Sequence, residues 1–232
     1  MTDRAQSETM GYVLVFSLIM LTIGAVYVGG FNAIDDSQQD AEINNMERAF
    51  DVLADNVRDI YSEGAPRRAT EIKVGGGSLT HRNVTSIEFS VVDPGDPSHN
   101  ATFSTRRAGL DSVVYETDST NIIYTNGAVI RSNGRRAAMA TEPRWVVSEE
   151  RTVIPIVITT ARSQSLSIPG PTTLLVRSRA QSRGVGTVTP RASDHVRVNV
   201  TVTSPHTEAW ADYFEGQGFD HVAGSVSADS VT

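Results

Sequence analysis

An uncharged stretch from Thr9 to Ile34 constrains the fold of this chain more than any other feature. It consists mostly of Val, Leu, Ile, Met and Phe. At a rise of about 1.5 Å per residue, a helix of this length spans the roughly 30 Å hydrocarbon core of a bilayer. Soluble core helices seldom need so long an unbroken apolar run, so the stretch predicts a membrane helix.

A polar segment stands directly before this run and contains the tetrapeptide Arg4-Ala5-Gln6-Ser7. This tetrapeptide resembles the processing site of archaeal type IV prepilins, which is known as the class III signal peptide. In that family a charged residue and then Gly or Ala precede the cut, and the hydrophobic segment is retained on the mature side. The resemblance therefore implies cleavage by a prepilin peptidase between Ala5 and Gln6.

The resemblance extends over roughly Asp3 to Asp36. This stretch looks like the start of uncharacterised haloarchaeal pilin-like proteins. Those proteins also share a β-rich ectodomain and an aromatic segment near the C-terminus, which here would be Trp210, Tyr213 and Phe214. In many family pilins an acidic residue at the fifth mature position engages a neighbouring amine. Here the acidic residue is Glu8 at the third mature position, so the chain departs from that pattern.

A conventional secretory signal is the alternative explanation for the N-terminus. Such a signal has a basic segment, an apolar core of about 7 to 15 residues and a small-x-small cleavage site. The run here is longer, Arg4 is the only basic residue before it, and Val28-Gly29-Gly30 is a poor cleavage site. We therefore expect the helix to be retained.

The composition points to an acidic surface protein without a disulfide framework. Cysteine is absent, acidic residues number 27, and the net charge is −7. Only Lys73 among the 20 basic residues is Lys. Arg is less strongly hydrated than Lys, and abundant carboxylates keep a surface hydrated, so this balance indicates a salt-rich habitat. The same balance argues against nucleic acid as a partner, because phosphate binding requires a basic face.

The helix is predicted to continue beyond the membrane. An apolar stripe with a spacing of three and four residues follows the run, and it consists of Ile43, Met46, Phe50, Leu53, Val57 and Ile60. Gly64 and Pro66 supply the stop. We expect one helix from about Ser7 to Glu63, lying in lipid along its first half and against a domain along its second half.

After Pro66 the pattern changes to a period of two, which is typical of strands. Strict alternation from His195 to Val202 places four valines on one buried face. Asn126-Gly127 predicts a two-residue hairpin turn, because both positions tolerate positive φ. Gly75-Gly76-Gly77 is interpreted as a further hairpin turn.

Other strands are predicted from shorter patterns. They lie near Glu71–Val74, Ile87–Val91, Ala101–Thr105, Ser112–Glu116, Ile122–Tyr124, Ala128–Ile130, Val153–Thr159, Thr172–Arg177 and Gly184–Thr189. Ser204 is predicted to be the N-cap of a short helix with Pro205 at its first position, ending at Gly216. The tail from Gly224 is expected to be frayed.

These patterns define a domain organisation. We expect an α+β fold in which a long N-terminal membrane and amphipathic helix packs on an antiparallel β-sheet or sandwich, with a short C-terminal helix. The predicted segments are a leader peptide at 1–5, a transmembrane helix at 6–34, an amphipathic helix at 35–65 and a β-rich extracellular domain at 66–232.

Motifs for catalysis or metal binding are absent from the sequence. The histidines His81, His99, His195, His206 and His221 stand singly, without metal-ligand spacing. No Gly-x-Ser-x-Gly elbow or P-loop occurs. We therefore expect neither an enzyme nor a cofactor. The aromatic residues of the C-terminal helix either cap the sheet or form a contact patch, and we favour the cap.

Three N-glycosylation sequons begin at Asn83, Asn100 and Asn199 and can be acceptors only outside the cell. Positive charge prefers the cytoplasmic side, so Arg4 directs the N-terminus inward and the domain outward. The sequence thus predicts a pilin-like surface subunit, structural or adhesive, whose partners are the membrane and other pilin-like subunits. The alternatives are a single-pass membrane-anchored extracellular binding protein that does not polymerise and, less favoured, a secreted hydrolase.

Overall fold

The computed structural model describes residues 2–83, 85–93, 95–104, 111–148, 151–160, 166–187, 197–219, 224–225 and 230–231. The chain divides into two compact units, residues 1–44 and residues 45–232. The described residues of the first unit, 2–44, are all helical, and the second unit contains the end of the same helix, the strands and a further short α-helix.

Helix α1 runs without interruption from Thr2 to Ser62. It begins five residues before the predicted start at Ser7, because no Pro or Gly occurs ahead of Gly11 to prevent an earlier start. It also continues through Gly29-Gly30. At the predicted end, Gly64 adopts a φ of +76° and the Ala65 N–H donates to Asp59 O at 3.1 Å. This is the glycine cap that the sequence indicates.

Fifteen strands, a 3₁₀ helix at Pro97–His99 and one short α-helix are described after α1. The strands are β1 Arg67–Val74, β2 Ser78–Asn83, β3 Ser86–Val92, β4 Ala101–Ser104, β5 Asp111–Glu116, β6 Asn121–Thr125, β7 Ala128–Ser132, β8 Ala137–Thr141, β9 Val146–Val147, β10 Thr152–Val153, β11 Leu166–Pro169, β12 Thr172–Arg179, β13 Arg197–Thr203, β14 Gly224–Ser225 and β15 Ser230–Val231. Helix α2 spans Thr207–Gly216. The predicted α+β class is confirmed.

Two larger sheets organise these strands. A six-stranded antiparallel sheet has the order β11-β2-β5-β6-β7-β8, and a five-stranded sheet has the order β14-β15-β13-β3-β4. β1 pairs with β12, and β9 pairs with β10, in separate two-stranded ladders. The tail beyond Gly224 therefore contributes strands wherever it is described, contrary to the expectation of fraying.

The main hydrophobic core lies between the two sheets and α2. Its members from the strands are Ile87, Phe89, Val114, Ile123, Ala128, Ile130, Val200 and Val202, and α2 adds Ala209, Trp210, Tyr213 and Phe214. Trp145 completes the cluster from the segment after β8. Val200 and Val202 confirm the buried face predicted for this strand, while Val196 and His195 lie outside the described residues.

The opposite face of the six-stranded sheet is covered by the part of α1 that belongs to the same unit, residues 45–62. Tyr115, Ile122 and Tyr124 alternate with core residues along β5 and β6, and all three are buried. Polar contacts join the helix to the same face. Arg131 on β7 forms an ion pair with Glu47 at 3.2 Å. The predicted stripe accounts for this packing, because its members from Met46 to Ile60 are buried.

Hydrogen bonds hold α1 to neighbouring strands as well. Thr141 Oγ1 on β8 donates to Asp51, and Asn56 Nδ2 donates to Thr70 Oγ1 on β1 at 2.9 Å. Arg68 on β1 pairs with Asp59 at 3.1 Å. The polar residues beside the stripe therefore fix the helix at its margins, while the stripe itself is shielded from water.

Strands β1 and β2 pair with β12 and β11, respectively, and form a long two-stranded ribbon. This ribbon continues from the β1–β12 ladder into the six-stranded sheet. Val74 on β1 is paired with Thr172, and Ser78 on β2 is paired with Pro169. Three residues, Gly75 to Gly77, thus lie opposite only two, Gly170 and Pro171. The extra residue on the β1–β2 side bends the ribbon as a β-bulge does. The prediction of a Gly75-Gly76-Gly77 hairpin turn is wrong, because β1 and β2 pair with other strands.

The Asn126-Gly127 hairpin between β6 and β7 is confirmed, with positive φ at both residues. Its position is unexpected for a turn, because Asn126 is only 2% exposed. The Val157 N–H donates to Asn126 Oδ1 at 2.8 Å, so a later segment of the chain crosses this turn.

Three further predictions differ from the structure. The strand predicted at Val153–Thr159 is limited to β10, and residues 184–187 form no strand, while 188 and 189 lie outside the described residues. Helix α2 begins two residues later than predicted, with His206 at its N-cap position. Ser204 Oγ instead accepts the His206 N–H at 3.2 Å, so it stabilises the turn that precedes the helix.

Candidate functional site: the apolar helix, its leader and the domain surface

The first half of α1 carries one apolar segment, Met10–Gly30, whose mean hydropathy is 2.2. Its large side chains are exposed in the isolated chain, including Leu14, Leu21 and Val26. By length and composition this segment could cross a membrane, and a signal sequence has the same properties. So much exposed apolar surface is unfavourable in water.

The Thr22 hydroxyl, one of the polar groups in this segment, is hydrogen-bonded within the helix. The Thr22 hydroxyl donates to Leu18 O at 2.8 Å and to Ile19 O at 2.9 Å. A hydroxyl that bonds to a carbonyl of the preceding turn carries no unmet donor into a bilayer. The hydrogen bonding of Thr22 therefore does not oppose insertion.

The predicted processing residues Arg4, Ala5, Gln6 and Ser7 all lie within the first turns of α1, as does Glu8. Their side chains fall outside the described part of the structure. The Ala5-Gln6 bond belongs to a hydrogen-bonded helix. A peptidase that cuts it must first open this turn, and the start of a helix is where opening costs least.

The three sequons differ in their access to solvent. Asn83 is exposed at the end of β2, but Thr85 of the same sequon is 1% exposed and its Oγ1 donates to Ser204 Oγ at 3.3 Å. Sequon recognition requires the Thr as well as the Asn. The folded domain therefore hides one half of the Asn83 sequon.

The other two sequons share one face of the five-stranded sheet. Asn199 on β13 is paired with Ser90 on β3, which is paired with Thr102 on β4. Asn199 and Thr102 are both exposed, and Asn100 is exposed directly before β4. Asn199 thus lies on the face of β13 opposite the buried Val200 and Val202, and the same face of the sheet also carries the Asn100 sequon.

The aromatic residues of α2 are part of the core. Trp210, Tyr213 and Phe214 are buried, and Trp145 lies among them with ring centroids 5.6 to 6.1 Å away. The Tyr213 hydroxyl donates to Pro143 O at 2.9 Å, and burial raises the pKa of Tyr213. The prediction of a capping helix, rather than a contact patch, is confirmed. Sequence reasoning missed Trp145, because no helical or strand period in the residues around it marks it as buried.

The histidines do not form a metal site in the part of the chain that the structure describes, where no group of three His, Cys, Asp or Glu side chains converges. Burial and the nearby Arg82 guanidinium lower the pKa of His206. His195 and His221 lie outside the described residues, and the side chain of His99 does too. That the chain is not an enzyme stays a prediction.

The fold and the N-terminal segment define a class of protein, in which an apolar helix of membrane-spanning length continues into an α+β domain. Within that class the chain belongs to DUF7289, a family of unknown function that matches residues 4–232. An uncharacterised protein of Archaeoglobus fulgidus is 26% identical over 78 residues, which cover 34% of this chain and 26% of the relative. The match thus spans about a quarter of that relative. No solved structure matches the chain.

Proposed function

We propose that the protein is a type IV pilin-like surface subunit of an archaeal cell. A prepilin peptidase would cut it between Ala5 and Gln6, and the helix that follows would anchor or polymerise the subunit. The observation that carries the proposal is the continuity of α1. The exposed apolar segment and the buried stripe around Phe50 belong to one helix, and Arg4-Ala5-Gln6-Ser7 stands directly before that segment.

This continuity favours retention over a discarded secretory signal. The C-terminal half of α1 supplies Phe50 and Leu53 to the interior of the β-rich domain. A helix whose second half is required for a folded domain is suited to hold that domain to a membrane through its first half. The domain lies outside the cell in this proposal, where its acidic surface and the exposed Asn100 and Asn199 sequons are appropriate.

N-terminal sequencing of the native protein tests the processing step. The proposal predicts Gln6 as the first residue and retention of the full-length precursor in Arg4→Gln and Ala5→Leu variants. Asp3→Asn, one residue outside the tetrapeptide, is the matched control and should be processed normally. A mature chain that begins after Gly30 would contradict the proposal, because the anchor would then have been removed.

A single-pass extracellular protein that does not polymerise is the second candidate, since an exposed apolar helix is also sufficient for a simple anchor. A substitution at Gly24 distinguishes the two candidate functions. A Cβ added there meets nothing within 4 Å in the single chain, so a larger side chain at this position would contact chiefly lipid or a neighbouring molecule. Small residues let helices approach closely in membranes.

Gly24→Leu should therefore preserve membrane insertion and reduce assembly. Native-membrane cross-linking or filament recovery measures assembly, membrane fractionation measures insertion, and Leu21→Ile is a volume-conserving control. Unchanged assembly with unchanged fractionation would favour the simple anchor.

A further inference from the structure

The outer face of the β1–β12 ladder carries a group of arginines. Arg67 lies directly opposite Arg179, and Arg177 lies two residues away on the same face of β12. All three side chains are exposed, and none forms an ion pair in the part of the chain that the structure describes. Arg68 differs, because it lies on the other face and pairs with Asp59 of α1 at 3.1 Å. We call Arg67, Arg177 and Arg179 the arginine patch.

The charge of the arginine patch is not balanced by its surroundings. Like charges directly opposite each other in a ladder are destabilising, and Arg67 and Arg179 are such a pair. Lys73 is exposed on the same face of β1, and Glu71 is the one acidic residue of the two strands on this face. Basic groups therefore exceed acidic ones here, although the whole chain has a net charge of −7.

The exposed face of α2 has the opposite charge. Glu208, Asp212 and Glu215 are spaced by four and three residues, so they share the face of the helix opposite its buried aromatic residues. All three are exposed, and α2 contains no basic residue. Like charges at this spacing are destabilising, and Glu215 lies near the negative end of the helix dipole. We call these three residues the acidic stripe.

The acidic stripe lacks a cation within its own chain. Glu208 Oε2 accepts the Ala137 N–H at 3.4 Å, which orients this carboxylate without neutralising it. Among the described residues, no ion pair involves the stripe and none joins it to the arginine patch. Two surfaces of opposite charge thus stand unmatched on one domain.

We propose that the acidic stripe of one copy of this chain binds the arginine patch of a second copy. The occupant is a second copy because the domain itself supplies the complementary charge. The stripe extends over about 10 Å along α2. Arginines that lie opposite each other or two residues apart in a ladder are separated by about 5 to 7 Å, which suits such a stripe. Ala69 lies between them and is too small to hold a helix away.

The contact relieves the repulsion between like charges on both surfaces. A guanidinium group binds a carboxylate through two parallel hydrogen bonds, which gives the strongest of the ordinary ion pairs. Such a pair acts over about 3 Å, which is no longer than the Debye length at about 1 M salt. It is therefore the kind of ionic contact that a salt-rich habitat weakens least.

The contact is head-to-tail, because a different surface of each copy takes part. It leaves a free arginine patch at one end and a free acidic stripe at the other, so it propagates instead of closing at a dimer. The inference rests on the proposed function as a pilin-like subunit and adds a contact between domains to the contact between helices.

Introduced cysteines test this contact, since the chain has none of its own. Ala69→Cys places a thiol in the arginine patch, and Gly216→Cys places one beside the stripe, where a Cβ meets nothing within 4 Å. The two chains are produced together with different tags, and native membranes are treated with a short bismaleimide. We expect a covalent heterodimer at a yield several-fold above that from either variant alone. Ser119→Cys in place of Ala69→Cys is the control, because Ser119 is exposed on neither surface.

Charge reversal identifies the occupant. Arg177→Glu with Arg179→Glu in the first chain should lower the heterodimer yield several-fold. Asp212→Arg with Glu215→Arg in the second chain should then restore the yield, because the two charges have been exchanged. All four side chains are exposed, so these changes leave the core intact. A loss that this exchange does not restore would mean that the arginines bind some other anion, and would overturn the proposal.

Arg135→Glu with Arg136→Glu is the matched control for the first chain. Both residues are exposed in the β7–β8 turn, and their reversal changes the net charge equally, so the yield should stay unchanged. Equal yield from Ser119→Cys, or no heterodimer, would also overturn the contact. A mature N-terminus at Gln6 without the heterodimer would reject the contact alone. The heterodimer in a chain that is never cut at Ala5-Gln6 would reject the pilin function and leave the contact standing.

Discussion

At the scale of residues, Phe50 and Asp51 are neighbours in sequence with different surroundings. Phe50 belongs to the stripe of α1 and is completely buried. Asp51 lies at the margin of the helix, partly exposed, and accepts a hydrogen bond from the Thr141 hydroxyl. A helix turns by 100° per residue, so one position is sufficient to move a side chain from the interior to the edge of the contact.

Phe50→Asp should destabilise the domain by about 4 kcal/mol or more, because it removes a buried ring and leaves an unpaired charge in its place. Asp51→Asn should cost less than about 1 kcal/mol, since the amide oxygen can still accept the Thr141 hydrogen bond. Thermal unfolding of the two variants beside the wild type measures the difference. Equal losses would mean that the buried face of α1 has been assigned incorrectly.

Trp145 illustrates what the sequence could not predict at this scale. The stripe of α1 was predictable because its members are close in sequence and share a helical period. Trp145 contacts Phe89 on β3 and three residues of α2, all distant along the chain. Its central place in the core depends on how the sheets are arranged, which no local pattern contains.

At the scale of elements, the bend in the ribbon between β1–β2 and β11–β12 depends on close backbone contact. The Gly170 N–H donates to Gly77 O at 2.9 Å. A Cβ added at Gly170 would overlap the carbonyl oxygen of Gly75. Backbone atoms cannot move aside as a flexible side chain can, so glycine is required at this crossing.

Gly170→Ala should therefore lower the free energy of unfolding by about 2 kcal/mol or more, through displacement of the two strands. Gly184→Ala is the matched control, because a Cβ there meets nothing within 4 Å. Chemical denaturation of both variants checks the expectation. A Gly170→Ala chain as stable as the control would show that the ribbon tolerates a wider crossing.

The elements that were predicted correctly are those fixed by short-range signals. The Asn126-Gly127 turn, the glycine cap at Gly64 and the alternation in β13 are examples. The Gly75-Gly76-Gly77 prediction failed because local sequence does not say which strand pairs with which. The processing residues and sequons were located by motif, but the burial of Thr85 became known only from the contact with Ser204 in a distant part of the chain.

At the scale of the whole molecule, the division near Asn44 indicates that the β-rich unit carries its own core. A fragment of residues 40–232 keeps the whole buried stripe of α1 and lacks the apolar segment. We expect it to be soluble and folded without detergent, with a circular dichroism spectrum dominated by β structure and a minor helical part. A mostly helical or insoluble fragment would contradict the fold, and the full chain in detergent is the reference.

The pairing of Arg67 with Arg179 has a consequence for the order of folding. The hairpins of β5, β6 and β7 close short loops and can form early, whereas β1 must wait for a strand made much later in synthesis. Until β12 has left the ribosome, Ile72 and Val74 have no strand opposite them. We therefore expect any chain cut short before Thr172 to be recognised by chaperones and proteases as unfinished, however complete its helix.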